Sequence, residues 1–221
     1  MNAGLTDVQF VHGRRYTDER TLTIAEHVLV NDINRFITEQ IAKLGHRATA
    51  LHSLASCVIF AERLYVSGEA DRRIDIGLVG EVRQVNTDLL VPILEAGHIP
   101  VIAPIARDAA GGKLNCNADS VAGRVAGALK AEKLVLVSDT HGIRTGEGED
   151  TLASHLSGGQ IQQLVSNGII NAGMLPKTDA ALVALEAGVR KTHIIDGRIP
   201  HSLLLEIFST EGIGTEIVLE S

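Results

Sequence analysis

In the stretch GGKLNCNADSVAG, Gly111 to Gly123, the residues Asn115, Asn117 and Asp119 stand at every second position. Residues two apart in extended backbone point the same way, so three short polar side chains converge on one side. Asparagine offers donors and acceptors, and ionised aspartate offers acceptors only. Such a set suits an amide ligand and the orienting of a nearby cation. The plain alternative is that Asn117 or Asp119 caps the helix that follows. In NAGMLPKTDAAL, Pro176 suits a first helical position. Lys177 then falls in the first turn, where the helix dipole disfavours a cation. A lysine makes sense there if an anion shares the site, because helix starts also bind phosphate; otherwise it is a solvated surface lysine.

Two further stretches carry chemistry. LVLVSDTHGI is an apolar run ending in Ser138 and Asp139, followed by a turn with Gly142. This is the pattern of a nucleotide loop at a strand's carboxyl end, or of an ordinary strand and turn. FVHGRRYTDERT places Arg14 and Arg15 before a helix capped by Thr17 or Asp18. Arginine grips a carboxylate through two parallel hydrogen bonds; the alternative is a surface ion pair with Asp18 or Glu19. GEGED (146–150) has the glycines of a phosphate cradle, but its acids repel phosphate, so it reads as a mobile loop.

Composition narrows the partners. The chain has 221 residues with a formal net charge of −7 and no Lys/Arg block, which argues against nucleic acid, since phosphate backbones need a basic face. Aromatics are 3% with no tryptophan, so base-stacking platforms are not expected. Cys57 and Cys116 show no zinc or disulfide spacing and read as small buried apolar residues. The nine histidines form no ligand pair of the HExxH kind. The N-terminus lacks a basic segment followed by an apolar run, and no apolar stretch reaches about 18 residues. No membrane partner and a cytoplasmic location are the expectation.

The elements that must position these residues alternate. Residues 21–45 read as a helix, with Ile33, Phe36, Ile37, Ile41 and Leu44 at helical spacing and Gly45 as a stop. RATAL and SCVIFAERLYV read as strands. A helix from Asn86 to Ala96 and the buried strand IPVIAPI follow. Next come a helix from Ser120 to Leu129, the strand KLVLVSD, helices near 159–167 and 177–187, and the strand THIIDG. LLLEIFSTEGIGTEIVLE reads as two strands around a glycine turn, or as a helix and a strand. This order predicts an α/β fold, a three-layer α/β/α sandwich with a mostly parallel open sheet. One domain with two lobes is expected, about 1–110 for substrate and dimer contacts and about 111–221 for nucleotide.

Taken together, FVHGRRYTD, DIGLVGEVRQVN, HIPVIAPI, GGKLNCNADSVAG, AEKLVLVSDTHGI, NAGMLPK and IIDGRIPHSLLLEIFSTEGIGT resemble the N-acetylglutamate kinases of the amino-acid kinase family, from about Val8 to the C-terminus. The resemblance implies transfer of the γ-phosphoryl of ATP, with Mg²⁺, to the side-chain carboxylate of N-acetyl-L-glutamate, the second step of arginine biosynthesis. It implies that Arg15 holds a substrate carboxylate and that Asn115 contacts the substrate, with Asn117 beside it. Asp119 would orient catalytic lysines, Lys177 would stabilise the transferring phosphoryl, and Ser138 and Asp139 would belong to the nucleotide loop. It also implies a homodimer or higher homo-oligomer, and inhibition by L-arginine near His201, Glu206 and Gly212.

The chain departs from the family pattern at its start. The family opens with a strand carrying a lysine and a glycine pair, then a second glycine-rich loop. Here the first lysine is Lys43 and the first Gly-Gly pair is Gly111–Gly112. The expectation is an N-terminally incomplete chain with weak or no turnover. His52, Ser53 and Ser56 also stand where the family has a glycine-containing loop with an acid. A related kinase with another acid substrate, and a non-catalytic regulatory remnant, stay open as alternatives.

Overall fold

The computed structural model describes residues 10–11, 14–52, 56–68, 72–146, 148–170, 173–209 and 212–219, with Phe10, Val11, Arg14, Arg15 and Glu149 described by backbone alone. The chain divides into two compact units, 1–121 and 122–221.

Unit 1 opens with the short antiparallel pair β1 (Phe10–Val11) and β2 (Arg14–Arg15). Asp18 caps helix α1 (Glu19–Glu26) by accepting the Thr21 N–H at 2.7 Å. The helix runs through a π-helical segment (His27–Asn34) into α2 (Arg35–Lys43), and Gly45 ends it. Its buried residues are Leu22, Val30 and Asn34, with Glu26 half-buried between them. Steps of four overshoot an α-helical turn by about 40° each. The wider π turn keeps this stripe in line. The expected apolar row turns outward instead: Ile33, Phe36, Ile37 and Leu44 are exposed. Asn34 donates to the Val101 carbonyl at 2.8 Å. That bond ties the helix to the parallel pair β3 (Ala48–Leu51) and β6 (Ile99–Ile102).

The rest of unit 1 is a small closed barrel in the order β4 (Ile59–Ser67), β5 (Arg73–Val85), β8 (Lys113–Cys116) and β7 (Ile105–Arg107). Ile59, Ala61, Ile76, Val79, Val82, Ile105 and Leu114 of these strands are buried. Helix α3 (Thr87–Glu95), capped by Asn86, links β5 to β6. β5 has no clean alternation in sequence, being interrupted by Gly77 and Gly80; Gly80 packs where a side chain would strike Leu114 and Cys116.

Helix α4 (Ala118–Ala128) crosses the boundary between units. Unit 2 then holds β9 (Lys133–Ser138), β10 (His155–Ser157), α5 (Gly158–Ser166), α6 (Leu175–Glu186), β11 (Lys191–Asp196), α7 (Ser202–Phe208) and β12 (Thr215–Val218). Its sheet order is β10-β12-β11-β9, with β9 parallel to β11, β10 parallel to β12, and β11 antiparallel to β12. The core joins Leu134, Leu136, Ile194 and Ile217 of the sheet to Ile161, Ala181, Ala184 and Leu185 of the helices. Of the open choice at LLLEIF, the helix forms, as α7. The α/β class expected from the alternating elements holds, with mixed sheets in both units.

Candidate functional site

In unit 1 the site is built on β8. Leu114 and Cys116 point into the barrel core, so Lys113 and Asn115 share the opposite face. Burial pushes the Cys116 thiol up to about 12, which leaves it an inert packing residue. Lys113 Nζ lies 2.7 Å from Glu26 Oε2 on α1, a half-buried ion pair. Asn115 Nδ2 donates to Thr17 Oγ1 at 3.4 Å. Thr17 is fully buried and stitched to β5: its N–H donates to Ile76 at 3.1 Å, and its carbonyl accepts the Leu78 N–H at 2.6 Å. The chain leaving β2 is therefore fastened beside Asn115, two residues after Arg15, whose side chain lies outside the described residues.

Asn117 does cap α4. Its Oδ1 accepts the Ser120 N–H at 2.9 Å and the Ser120 hydroxyl at 3.2 Å. Its amide NH₂ is the donor end, which the cap does not use. Asp119 sits in the first turn of α4 and is half-buried.

In unit 2 the residues Ser138, Asp139 and Lys177 line one cavity of about 650 Å³, together with His141, Arg144 and Arg198. The size suits a ligand as large as a nucleotide. β9 ends at Ser138, whose hydroxyl donates to Asp139 at 3.3 Å. The turn behind it is pinned by Thr215: its hydroxyl accepts the Ile143 N–H at 2.8 Å and donates to Ala153 at 2.6 Å. Gly142 (φ 142°) packs against that hydroxyl, and any side chain there would overlap it. Lys177 is the third residue of α6, after Pro176. The neighbouring Asn171 and Ala172 of NAGMLPK lie outside the described residues.

Arg198, in the turn after β11, also lines this cavity. The Asp196 side chain is 1% exposed and faces Arg198, whose Nη2 lies 2.6 Å away, and His141 Nδ1 at 3.2 Å. The Arg198 side chain and backbone N–H, with a smaller contribution from His141, hold the Asp196 carboxyl at about 2, against a usual 3.8. A depressed carboxyl contributes stability that is complete above its unfolded pKa and lost as pH falls through the folded one. Urea midpoints of the wild type are expected to fall between about pH 4 and pH 2, and Asp196→Asn to show a shallower fall in that window. Parallel curves would show that this carboxyl is not linked to folding.

A second cavity in unit 2, of about 730 Å³, is lined by Lys133, His155, Lys191, His193, Glu206, Gly212 and Glu216, among others. Glu206 is buried and accepts from His193 Nδ1 at 2.7 Å, Ile213 N–H at 2.7 Å and Gly214 N–H at 2.9 Å. Burial acts to raise its pKa, but the Ile213 N–H, His193 and the Gly214 N–H together hold it below the usual glutamate range. Glu206 and Gly212 thus line one cavity. His201 stands instead at the N-cap of α7, exposed and left-handed (φ 60°), and does not line this cavity among the described residues. The histidine against Glu206 is His193, which sequence reasoning missed. Its signal was a histidine directly before the apolar pair Ile194–Ile195 in the strand THIIDG. Lys113, Thr17, Asp196 and Arg198 were missed as well; only Lys113, one step back along the Asn115 stripe, was legible.

The family model described as "Amino acid kinase family" matches residues 2–196. Acetylglutamate kinase of Methanocaldococcus jannaschii is 45% identical over 214 residues, 95% of this chain and 71% of that protein. That of Symbiobacterium thermophilum is 44% identical over 212 residues, 95% of this chain and 72% of that protein. N-acetylglutamate synthase of Neisseria gonorrhoeae is 28% identical in two crystal structures. The complex with coenzyme A and N-acetyl-glutamate has a TM-score of 0.84 over 97% of this chain and 47% of that one. The complex with coenzyme A and L-arginine has a TM-score of 0.82 over 99% of this chain and 50% of that one. A family model that runs along most of the sequence, and near-half identity to two kinases across 95% of its length, lead to one conclusion: the chain belongs to the amino acid kinase family.

Proposed function

We propose that the chain transfers the γ-phosphoryl of ATP to the side-chain carboxylate of N-acetyl-L-glutamate, giving N-acetyl-L-glutamyl 5-phosphate for arginine biosynthesis. The observation that supports this most is the convergence of Ser138, Asp139 and Lys177 on one nucleotide-sized cavity. The named activity of the relatives at 45% and 44% identity points the same way. The acceptor carboxylate is ionised at neutral pH, so no general base is needed. One carboxylate oxygen attacks the γ-phosphorus, the bond to the β,γ-bridging oxygen breaks, and ADP leaves with that electron pair. Catalysis is then in-line positioning and charge neutralisation. Arg15 takes a substrate carboxylate, Asn115 and the donor end of Asn117 hold the acetylated amide, Asp119 orients lysine, and Lys177 neutralises the moving phosphoryl. Mg²⁺ enters on the nucleotide and offsets phosphate charge when bound.

The test is hydroxamate formation from ATP, Mg²⁺, a carboxylic acid as phosphoryl acceptor and hydroxylamine, which takes the acyl group from the acyl phosphate and releases phosphate. Signal above the ATP-only control is expected with N-acetyl-L-glutamate. A larger signal with L-glutamate or carbamate would replace the substrate, and ATP binding with no hydroxamate from any acid would leave a non-catalytic nucleotide binder.

The second cavity supports L-arginine as an inhibitor, with Glu206 and carbonyls at the Gly212 turn as guanidinium acceptors. A ligand specific to the native state raises Tm, by about 2–4 °C per kcal/mol for a chain of this size. A thermal melt unmoved by saturating L-arginine would reject the idea. The exposed row Ile33, Phe36 and Ile37 supports a homodimer as well, and sedimentation equilibrium at the monomer mass would count against it.

A further inference from the structure

The turn after β11 aims an arginine into the nucleotide cavity. Arg198 Nε donates to Asp196 Oδ1 at 2.9 Å, and its Nη2 donates to Oδ2 at 2.6 Å. The Arg198 backbone N–H donates to the same Oδ1 at 2.9 Å. Asp196 is itself locked: its side chain is almost fully buried at the end of a buried strand, and His141 closes on Oδ2 at 3.2 Å. A planar guanidinium held along one edge has no freedom in the plane, so its opposite edge has a set direction. Of its five N–H donors, the Asp196 fork uses two. The Arg198 side chain is 63% exposed and lines the same cavity as Ser138, Asp139 and Lys177.

The plain alternative is a turn-stabilising ion pair. Exposed pairs of that kind contribute little to stability, because ordering the side chain offsets the Coulomb gain. Here the carboxylate is the buried partner and the guanidinium is the exposed one. Such an arrangement orients the cation for something else. Phosphate and carboxylate oxygens both match a guanidinium fork, and in a nucleotide-sized cavity that also holds Lys177 the phosphate chain is the group that fits.

Resting on the nucleotide reading of this cavity, we propose that Arg198 binds the phosphate chain of the nucleotide, and that Asp196 is its positioning residue. Isothermal titration of ATP, ADP and adenosine into the wild type, Arg198→Gln, Arg198→Lys and Asp196→Asn tests this. Arg198→Gln is expected to weaken ATP and ADP about 10- to 100-fold, the range of a charge-assisted hydrogen bond, and to leave adenosine unchanged. Arg198→Lys keeps the charge without the fork and falls between. Asp196→Asn lowers the ATP-to-adenosine preference in the same direction. Arg198→Gln leaves the buried Asp196 without its main partner, so a thermal melt checks that each variant is folded, and unchanged adenosine affinity reports an intact cavity. Equal losses for adenosine and ATP, or wild-type affinity in Arg198→Gln, overturn the proposal alone. A wild type that binds none of the three ligands overturns the nucleotide reading as well.

Discussion

Lys177→Ala is expected to lower kcat about 100- to 1,000-fold, or ~3–4 kcal/mol of transition-state stabilisation, the usual cost of removing one preorganised charge donor. The physical reason is its address. Lys177 is the third residue of α6, where the helix's own N–H groups already present positive charge. A half-buried lysine there adds its charge to the helix's own positive end, and an incoming phosphoryl group brings the opposite charge. That charge must be met at the moment of transfer. Folding stability should stay within about 1 kcal/mol, since the alanine relieves the dipole conflict as it removes side-chain contacts. The KM for N-acetyl-L-glutamate should move far less than kcat, because the lost interaction belongs to the transition state. Steady-state hydroxamate kinetics with a parallel urea melt separate the two effects. A variant with intact kcat would remove Lys177 from the mechanism, and one that unfolds would assign it to structure.

Gly77→Ala is expected to destabilise the chain by about 2–4 kcal/mol, through backbone strain and a collision acting together. Gly77 sits in β5 at φ 80°, where a β-carbon is disfavoured. An added Cβ would also overlap the Thr17 carbonyl and come within 2.8 Å of its carbon. Thr17 cannot retreat, because its N–H and carbonyl are both engaged with β5. Gly45→Ala is the control. It has the same sign of φ (83°) and nothing within 4 Å of the added carbon, so it should cost only the strain, about 1–2 kcal/mol. The two variants also differ in function. Moving Thr17 moves the hydroxyl that holds Asn115, so Gly77→Ala should raise the KM for N-acetyl-L-glutamate while Gly45→Ala leaves it alone. Urea midpoints and substrate titrations read both; equal losses in the two variants would mean that the Thr17 contact carries no weight.

The elements that sequence reading found are those with strong local signals. Helix α3 has an asparagine cap and a glycine stop, and β9 is an uninterrupted apolar run ended by Ser138. Alternation in extended backbone is a local rule and holds for Asn115 on β8, but the strand ends at Cys116, so Asn117 caps α4 and Asp119 lies in its first turn rather than on one extended stripe. What escaped lies where a distant partner decides. The face of the long N-terminal helix was misjudged because a π turn alters which residues align, and nothing in a 3.6-residue period announces it. His201 entered through the resemblance of its segment to arginine-sensitive kinases, whereas the histidine that meets Glu206 is His193, brought to it by the packing of β11 and α7 across a gap of 13 residues.

By itself, the sequence determined the α/β class, the family and the residue types available for chemistry, since these follow from local periodicity and from motifs that read independently. Only the tertiary structure decided that Thr17 orients Asn115, that Lys113 is held by Glu26, and that Arg198 is aimed by a buried Asp196. The reason is that hydrogen bonds and ion pairs depend on distances of about 3 Å between side chains. Contacts between residues as far apart as 17 and 115 exist only once strands and helices have packed into place.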